Sequence, residues 1–238
     1  MKKAIIIGAS SGIGMELAKI LSKENYIVGL AARRVNLLKK LQQELPNLSF
    51  VKYIDISKLD EIEKNINELI IELEGIDLLI ISSGIGHLNE ELDWQKEKET
   101  IDVNVLGFTK TLNIAVKYFL KKGKGHIVGI SSIGALRGDP VAPAYDASKA
   151  FISNYMEGIR SKIKKAKLQI YITDIKPGFV DTDMAKGEGL FWVMPPTIAA
   201  RQIFSVIKKK RDKAYITKRW AIIAIFLKYM PDWMFYKL

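Results

Sequence analysis

The sequence predicts one doubly wound α/β domain over residues 1–217: a parallel sheet of about seven strands with helices on both faces. Three observations predict it. Short apolar runs alternate about six times with longer segments whose apolar residues recur at helical spacing. The runs are apolar throughout, as in strands covered on both sides. A glycine-rich turn follows the first run directly. At 238 residues the chain is long enough to bury a sizeable core.

The elements follow in order. Lys3–Ile7 reads as a buried strand, Gly8–Gly14 as the turn, and Met15–Ser22 as a helix. Tyr26–Ala32 is a second strand, and Leu37–Leu45 a helix stopped by Pro46-Asn47. Ser49–Ile54 is a third strand and ends at Asp55. Leu59–Leu73 has apolar residues at 59, 62, 66, 69, 70 and 73, a 3.6 period, and Gly75 ends it. Ile76–Ile81 is a buried strand followed by the small-residue turn Ser82–His87. One long helix is expected from about Trp94 to Lys121, then strands over Gly125–Ile130 and Leu168–Ile175 with the helix Pro143–Lys165 between them. Phe179–Pro196 is irregular and long enough to be a lid or substrate loop. Ile198–Lys209 is a helix and Ala214–Thr217 a short last strand.

Composition excludes several classes. The chain has no cysteine, so it has neither a disulfide framework nor a thiolate metal site, and two histidines make no His-rich metal centre. The opening Met-Lys-Lys-Ala-Ile-Ile-Ile-Gly imitates a signal peptide, but its apolar run stops at Gly8 and no A-x-A site follows, so a cytoplasmic protein is expected. The net charge of +11 suits an anionic ligand, an anionic membrane or nucleic acid. No zinc-finger, RRM or helix-turn-helix signature accompanies it, so nucleic acid is not an expected partner.

The chemistry concentrates in two places. A strand, a glycine turn and a helix in succession bring backbone close to a pyrophosphate at a helix N-terminus. Gly8, Ser10, Ser11, Gly12, Ile13 and Gly14 are the candidates, spaced GxxxGxG. The second strand ends in Ala31-Ala32-Arg33-Arg34, where an acid would bond a ribose 2′-hydroxyl and an arginine would accept a 2′-phosphate. The residues there predict NADP(H) over NAD(H), with Arg33 as the contact. The second place is Tyr145-Asp-Ala-Ser-Lys149, which sets a phenol and an amine on one helical face. A phenol titrates near pH ~10, and a nearby ammonium lowers that value, making the pair a candidate general acid/base. Asn104, a poor mid-helix residue, either faces solvent or marks a kink with a role. His87 is a substrate-side residue or a plain loop histidine.

The tail, residues 218–238, is dense in aromatic, aliphatic and basic residues. Its run Ala221–Leu227 is well short of the ~20 residues of a spanning helix. It packs on the core or on a second subunit, or it lies at a membrane interface.

With these pieces laid out, the chain resembles the short-chain dehydrogenase/reductase family, in its shorter single-domain branch, over about residues 3 to 217. The shared motifs are Gly8–Gly14, Asp55, Asn104, Ser132, Tyr145-x-x-x-Lys149, and Pro177-Gly178 with Thr182, in matching order and spacing. The resemblance implies a Rossmann-like sheet. It implies Tyr145 as proton donor or base, Lys149 on the nicotinamide ribose and lowering the Tyr pKa, and Ser132 orienting the carbonyl. Asn104 would keep a water in line to Lys149, Asp55 would meet the adenine, Val180 and Thr182 would hold the nicotinamide carboxamide, and Pro177 would belong to the same cofactor site. Homodimers or homotetramers are usual in that family. Two departures stand out: Ile7 replaces a frequent Thr, and Ile81-Ser82-Ser83-Gly84 replaces Asn-Asn-Ala-Gly. Both remove hydrogen bonds that usually tie the central strands.

The resulting expectation is an NADP(H)-dependent oxidoreductase of a ketone, aldehyde or secondary alcohol, with Phe191, Trp192 and Met194 suggesting an apolar substrate. The alternative is a nucleotide-sensing protein without turnover; the complete Ser132, Tyr145, Lys149 set argues against it.

Overall fold

The computed structural model describes residues 1–182, 184 and 191–237. Seven parallel strands form one sheet: β1 (Lys2–Ile7), β2 (Tyr26–Ala32), β3 (Ser49–Tyr53), β4 (Leu78–Ile81), β5 (Lys124–Ile130), β6 (Gln169–Pro177) and β7 (Lys213–Ile216), in the order β3-β2-β1-β4-β5-β6-β7. The expected doubly wound sheet is therefore present. Strand order reverses between β1 and β4, where open α/β sheets leave a crevice at the strands' carboxyl ends.

The helices are α1 (Gly12–Lys23), α2 (Val35–Glu44), α3 (Leu59–Glu72), α4 (Trp94–Ile101), α5 (Phe108–Lys122), α6 (Pro143–Lys165), α7 (Pro196–Lys208), α8 (Lys218–Tyr229) and α9 (Asp232–Phe235). Alternation along the strands sorts them into two layers. Ile5 and Ile7 of β1 pack with Ile62, Ile66 and Leu69 of α3, Leu112 and Phe119 of α5, and Ile152 and Met156 of α6. Ala4 and Ile6 pack on the other face with Leu17 and Leu21 of α1, Leu38 and Leu41 of α2, and Ile203 and Ile207 of α7. Pro143 opens α6 at a position where its missing N–H costs nothing.

The single helix expected over Trp94–Lys121 is interrupted: a π-helical turn spans Asp102–Gly107, between α4 and α5. Asn104 lies inside it and is buried. Its amide bonds the loop after β4 instead of its own helix, so the kink has a partner outside the helix. Such turns are rare and concentrate at functional sites.

The two departures at the centre of the sheet do not leave β1 and β4 untied. The backbone N–H groups of Ser82 and Ser83 both donate to Ile7 O, at 2.8 and 3.0 Å. The junction is made by main chain, whichever side chains stand there. Past β7 the tail forms α8 and α9. Trp220 and Ala224 of α8 are buried against Ile133, with Leu136, Phe179 and Tyr215 alongside.

Candidate active site

The glycine turn sits at the switch point between β1 and β4. Gly8 has φ +92°, and a Cβ there would lie 2.6 Å from Ser83 N. Gly14 lets α1 approach the turn, since a Cβ would come within 2.2 Å of Gly8 O. Ser11 precedes α1 in extended conformation and makes no side-chain cap to it, which leaves the first-turn N–H groups for anionic oxygens. A cavity of about 270 Å³ opens here, lined by Ser11, Gly12, Asp181, Thr182 and others. A larger cleft, lined by Glu157, Arg160, Lys164, Arg211 and Lys213 among others, contains none of the candidate residues.

The two arginines after β2 separate. Arg33 is exposed. Arg34 turns back over the glycine turn: its Nη2 donates to Ser10 Oγ at 3.0 Å and Ser11 Oγ at 2.6 Å. The sequence predicts Arg33 as the contact, but Arg34 is the one that reaches the turn, and nothing in an Arg-Arg pair says which one will. Asp55 accepts from Ser57 N and Oγ, at 3.0 and 2.7 Å, and so is fixed at the end of β3. Glycine cradle, open helix end and adjacent guanidinium are the donor set that a dinucleotide's phosphates require.

Four residues meet at the carboxyl ends of β4 and β5. The Ser132 side chain neighbours the Tyr145 phenol and favours its charged form. Ser132 also accepts from Gly134 N at 3.1 Å, which holds its rotamer. Lys149 is buried and donates to Ile130 O at 3.2 Å. Its Nζ lies 5.4 Å from the Tyr145 ring centroid. Asn104 accepts from Ile85 N at 2.9 Å and donates to Ile85 O at 2.7 Å. A Cβ on Gly84 would stand 3.1 Å from Lys149 Nζ and 3.3 Å from Asn104 Oδ1, so both groups border the same glycine.

Two further residues complete the arrangement and were not singled out in the sequence. Ser148 Oγ accepts from Asn104 Nδ2 at 3.0 Å and donates to Tyr145 O at 2.6 Å, tying the π turn to α6. Gly86 lets the loop lie on the Tyr145 ring, where a Cβ would come 2.8 Å from Cδ2. His87 stands beside Glu99, with 3.3 Å between Nε2 and Oε2. Val180 pairs with Met194, and Thr182 faces Gly12, so this side of the loop closes toward the glycine turn. Asp183 and residues 185–190 of the expected lid lie outside the described residues.

Electrostatics corrects one expectation. Tyr145 is not acidified by Lys149: burial pushes its pKa up to about 12, the Ser132 side chain opposes this, and the Asp146 carboxylate adds to it. The ammonium is turned to Ile130 O instead of the phenol oxygen. Lys149 is brought down to about 8 by burial, against the attraction of Asp174. Asp146 is raised to about 7 by burial, with a contribution from Asp139. The phenol is thus fully protonated near neutral pH, beside an amine that titrates close to it.

Comparison with known proteins gives the following. The family model described as short chain dehydrogenase matches residues 2–190. An uncharacterized oxidoreductase of Myxococcus xanthus is 33% identical over 188 residues, 77% of this chain and 74% of that protein. An uncharacterized oxidoreductase of Mycobacterium tuberculosis is 30% identical over 225 residues, 90% of this chain and 88% of its own. Among solved structures, an alcohol dehydrogenase from Thermococcus sibiricus complexed with 5-hydroxy-NADP superposes with a TM-score of 0.80 at 26% identity, covering 91% of this chain and 96% of that one. A short chain dehydrogenase/reductase from Burkholderia phymatum in complex with NAD gives a TM-score of 0.85 at 18% identity, covering 94% and 92%.

Proposed function

The chain belongs to the short-chain dehydrogenase/reductase family, and from that premise we propose that it reduces an apolar ketone or aldehyde with NADPH, Tyr145 giving the proton. The observation that carries this reading is the convergence of Ser132 on the Tyr145 phenol, with Lys149 and Asn104 bordering one glycine beside it. A proton donor must hold its proton until the carbonyl oxygen develops charge, and a phenol near 12 does so at neutral pH.

A nicotinamide dinucleotide would supply the hydride. The turn Gly8–Gly14 and the N-terminus of α1 would hold its pyrophosphate. Arg34, with Arg33 beside it, would face a 2′-phosphate, which is the basis for preferring NADP(H). Asp55 would border the adenine, Pro177, Val180 and Thr182 the nicotinamide, and Lys149 the ribose hydroxyls. Ser132 would orient the carbonyl oxygen, and Tyr145 would pass its proton to that oxygen. The proton lost from Tyr145 would be restored from Lys149, whose amine titrates near 8, through the groups around Asn104.

Phe179, Phe191, Trp192 and Trp220 cluster with ring centroids 5.2 to 6.2 Å apart, edge-on except for the tilted Phe191–Trp220 pair. This aromatic wall supports an apolar substrate. The test is a panel of ketones and aldehydes assayed in parallel with NADPH and NADH. Turnover at least ~tenfold more efficient with NADPH is expected, since a charge-assisted phosphate contact is worth about 1.5–3 kcal/mol. Tight NADPH binding with no turnover on any carbonyl would favour the sensor reading.

A further inference from the structure

We propose that the outer face of the C-terminal helices α8 and α9 docks on an anionic membrane surface. The argument begins with how α8 is divided. Its inner face buries Trp220 and Ala224. Its outer face would be polar in an ordinary surface helix. Here Ile222, Ile225, Phe226 and Tyr229, spaced i, i+3, i+4 and i+7, are 71%, 63%, 56% and 74% exposed. Trp233 in α9 and Tyr236 just after it are exposed as well. Phe191 and Trp192, half exposed, lie against the inner-face Trp220 with ring centroids 5.2 and 6.2 Å away, and add exposed aromatic surface near α8. An exposed apolar stripe of this kind along one helix marks a partner.

Charge selects the partner. Arg219 lies 5.6 Å from the Trp192 ring, Lys228 5.6 Å from Tyr229, and Lys237 5.8 Å from Trp233, so each cation flanks an exposed aromatic. Among the described residues 219–237 the one acid is Asp232, held by Arg137 at 2.7 Å. Two copies meeting through this face would bring like charges together, on a chain of net charge +11. Anionic headgroups would complement them. Trp and Tyr with an apolar body and a polar edge are the residues that settle at the headgroup level, with Lys and Arg reaching outward. At 12 residues α8 is about 18 Å long, and among the described residues no helix is long and apolar enough to cross a membrane. The helix therefore would lie in the interface plane.

The inner side of the same helix bears on the catalytic candidates. Trp220 packs against Ile133, next to Ser132, and covers Gly178, where a Cβ would come 2.0 Å from its ring. Docking would thus hold one wall of the pocket at the lipid boundary. The membrane contact does not rest on the oxidoreductase reading, and it is measured without turnover.

The test is flotation of the full chain with vesicles of phosphatidylcholine and phosphatidylglycerol, against vesicles of phosphatidylcholine alone. Flotation with the anionic vesicles is expected, weakened about tenfold or more without the anionic lipid, since each basic residue contributes near the surface. The exposed pair Ile222→Glu/Phe226→Glu should abolish flotation with an unchanged circular dichroism spectrum. Lys228→Glu/Lys237→Glu should remove the preference for anionic lipid while leaving the apolar stripe intact. The proposal is overturned if the unaltered chain stays with the lipid-free fraction, or if Ile222→Glu/Phe226→Glu floats like the parent. It is equally overturned if that pair instead dissociates a dimer in sedimentation velocity and the parent ignores vesicles, which would assign the face to a second copy.

Discussion

Ser132, just past β5, acts on the phenol of Tyr145 in the first turn of α6 and favours its charged form. That interaction is what opposes the burial of the phenol. Ser132→Ala removes it, so the Tyr145 pKa should rise further, and the carbonyl should lose its orienting hydroxyl. The expected result is a fall in kcat of about 10²- to 10⁴-fold, with NADPH affinity by fluorescence titration nearly unchanged.

Arg34 and Arg33 make separable predictions. Arg34 already lies on the glycine turn, donating to Ser10 and Ser11. Arg34→Ala should raise the Kd for NADPH about 10- to 100-fold, the loss of one charge-assisted contact, and change that for NADH far less. Arg33→Ala should act in the same direction. Calorimetric titration with both cofactors checks this, and equal losses for NADPH and NADH in both variants would contradict the assignment to the 2′-phosphate.

The stability of the fold should depend on His126. Thr173 Oγ donates to Arg211 O at 2.6 Å, so at 2.8 Å it accepts from His126 Nε2, which fixes the neutral tautomer. Burial depresses the imidazole from 6.5 to about 4. Between those values the unfolded chain binds a proton that the folded chain does not, so stability falls as pH drops through this window. The full effect is about 3 kcal/mol. Urea midpoints measured from pH ~7 to ~4 should show it, and His126→Gln should flatten that part of the curve.

Gly178 and Trp220 couple the tail to the nicotinamide side. A Cβ at Gly178 would overlap the indole. Gly178→Ala should cost about 1–3 kcal/mol by overpacking, and Trp220→Ala about 3–5 kcal/mol by leaving a cavity. In a double-mutant cycle the combined loss should be clearly less than the sum, because the second change relieves the clash made by the first. Additive losses would mean that the two do not touch in solution.

Strand and helix periodicity revealed the sheet because each strand is covered on both faces and each helix on one. Tyr145 and Lys149 were readable because helical spacing alone brings them together. The rest depended on three-dimensional choices that spacing does not encode. Which arginine turns back was set by the entry into α2. The burial of Asp146, an acid in a first helical turn where it would ordinarily face solvent, came from the approach of the loop at Gly134, where a Cβ would come 2.0 Å from its Oδ1. The π turn at Asn104 was legible as an oddity but not as a shape. Helical spacing brings a charge near Tyr145 but does not show how deeply the phenol is buried, and burial sets the direction of its shift.

The central claim is that Tyr145 supplies the proton, and Tyr145→Phe tests it most directly: the ring remains and only the hydroxyl is removed. Single-turnover reduction of a carbonyl by bound NADPH should fall by about 10²-fold or more, with NADPH affinity within about twofold of the parent, since Tyr145 is not asked to anchor a phosphate. A Phe variant that reduces the carbonyl at the parental rate would contradict the account.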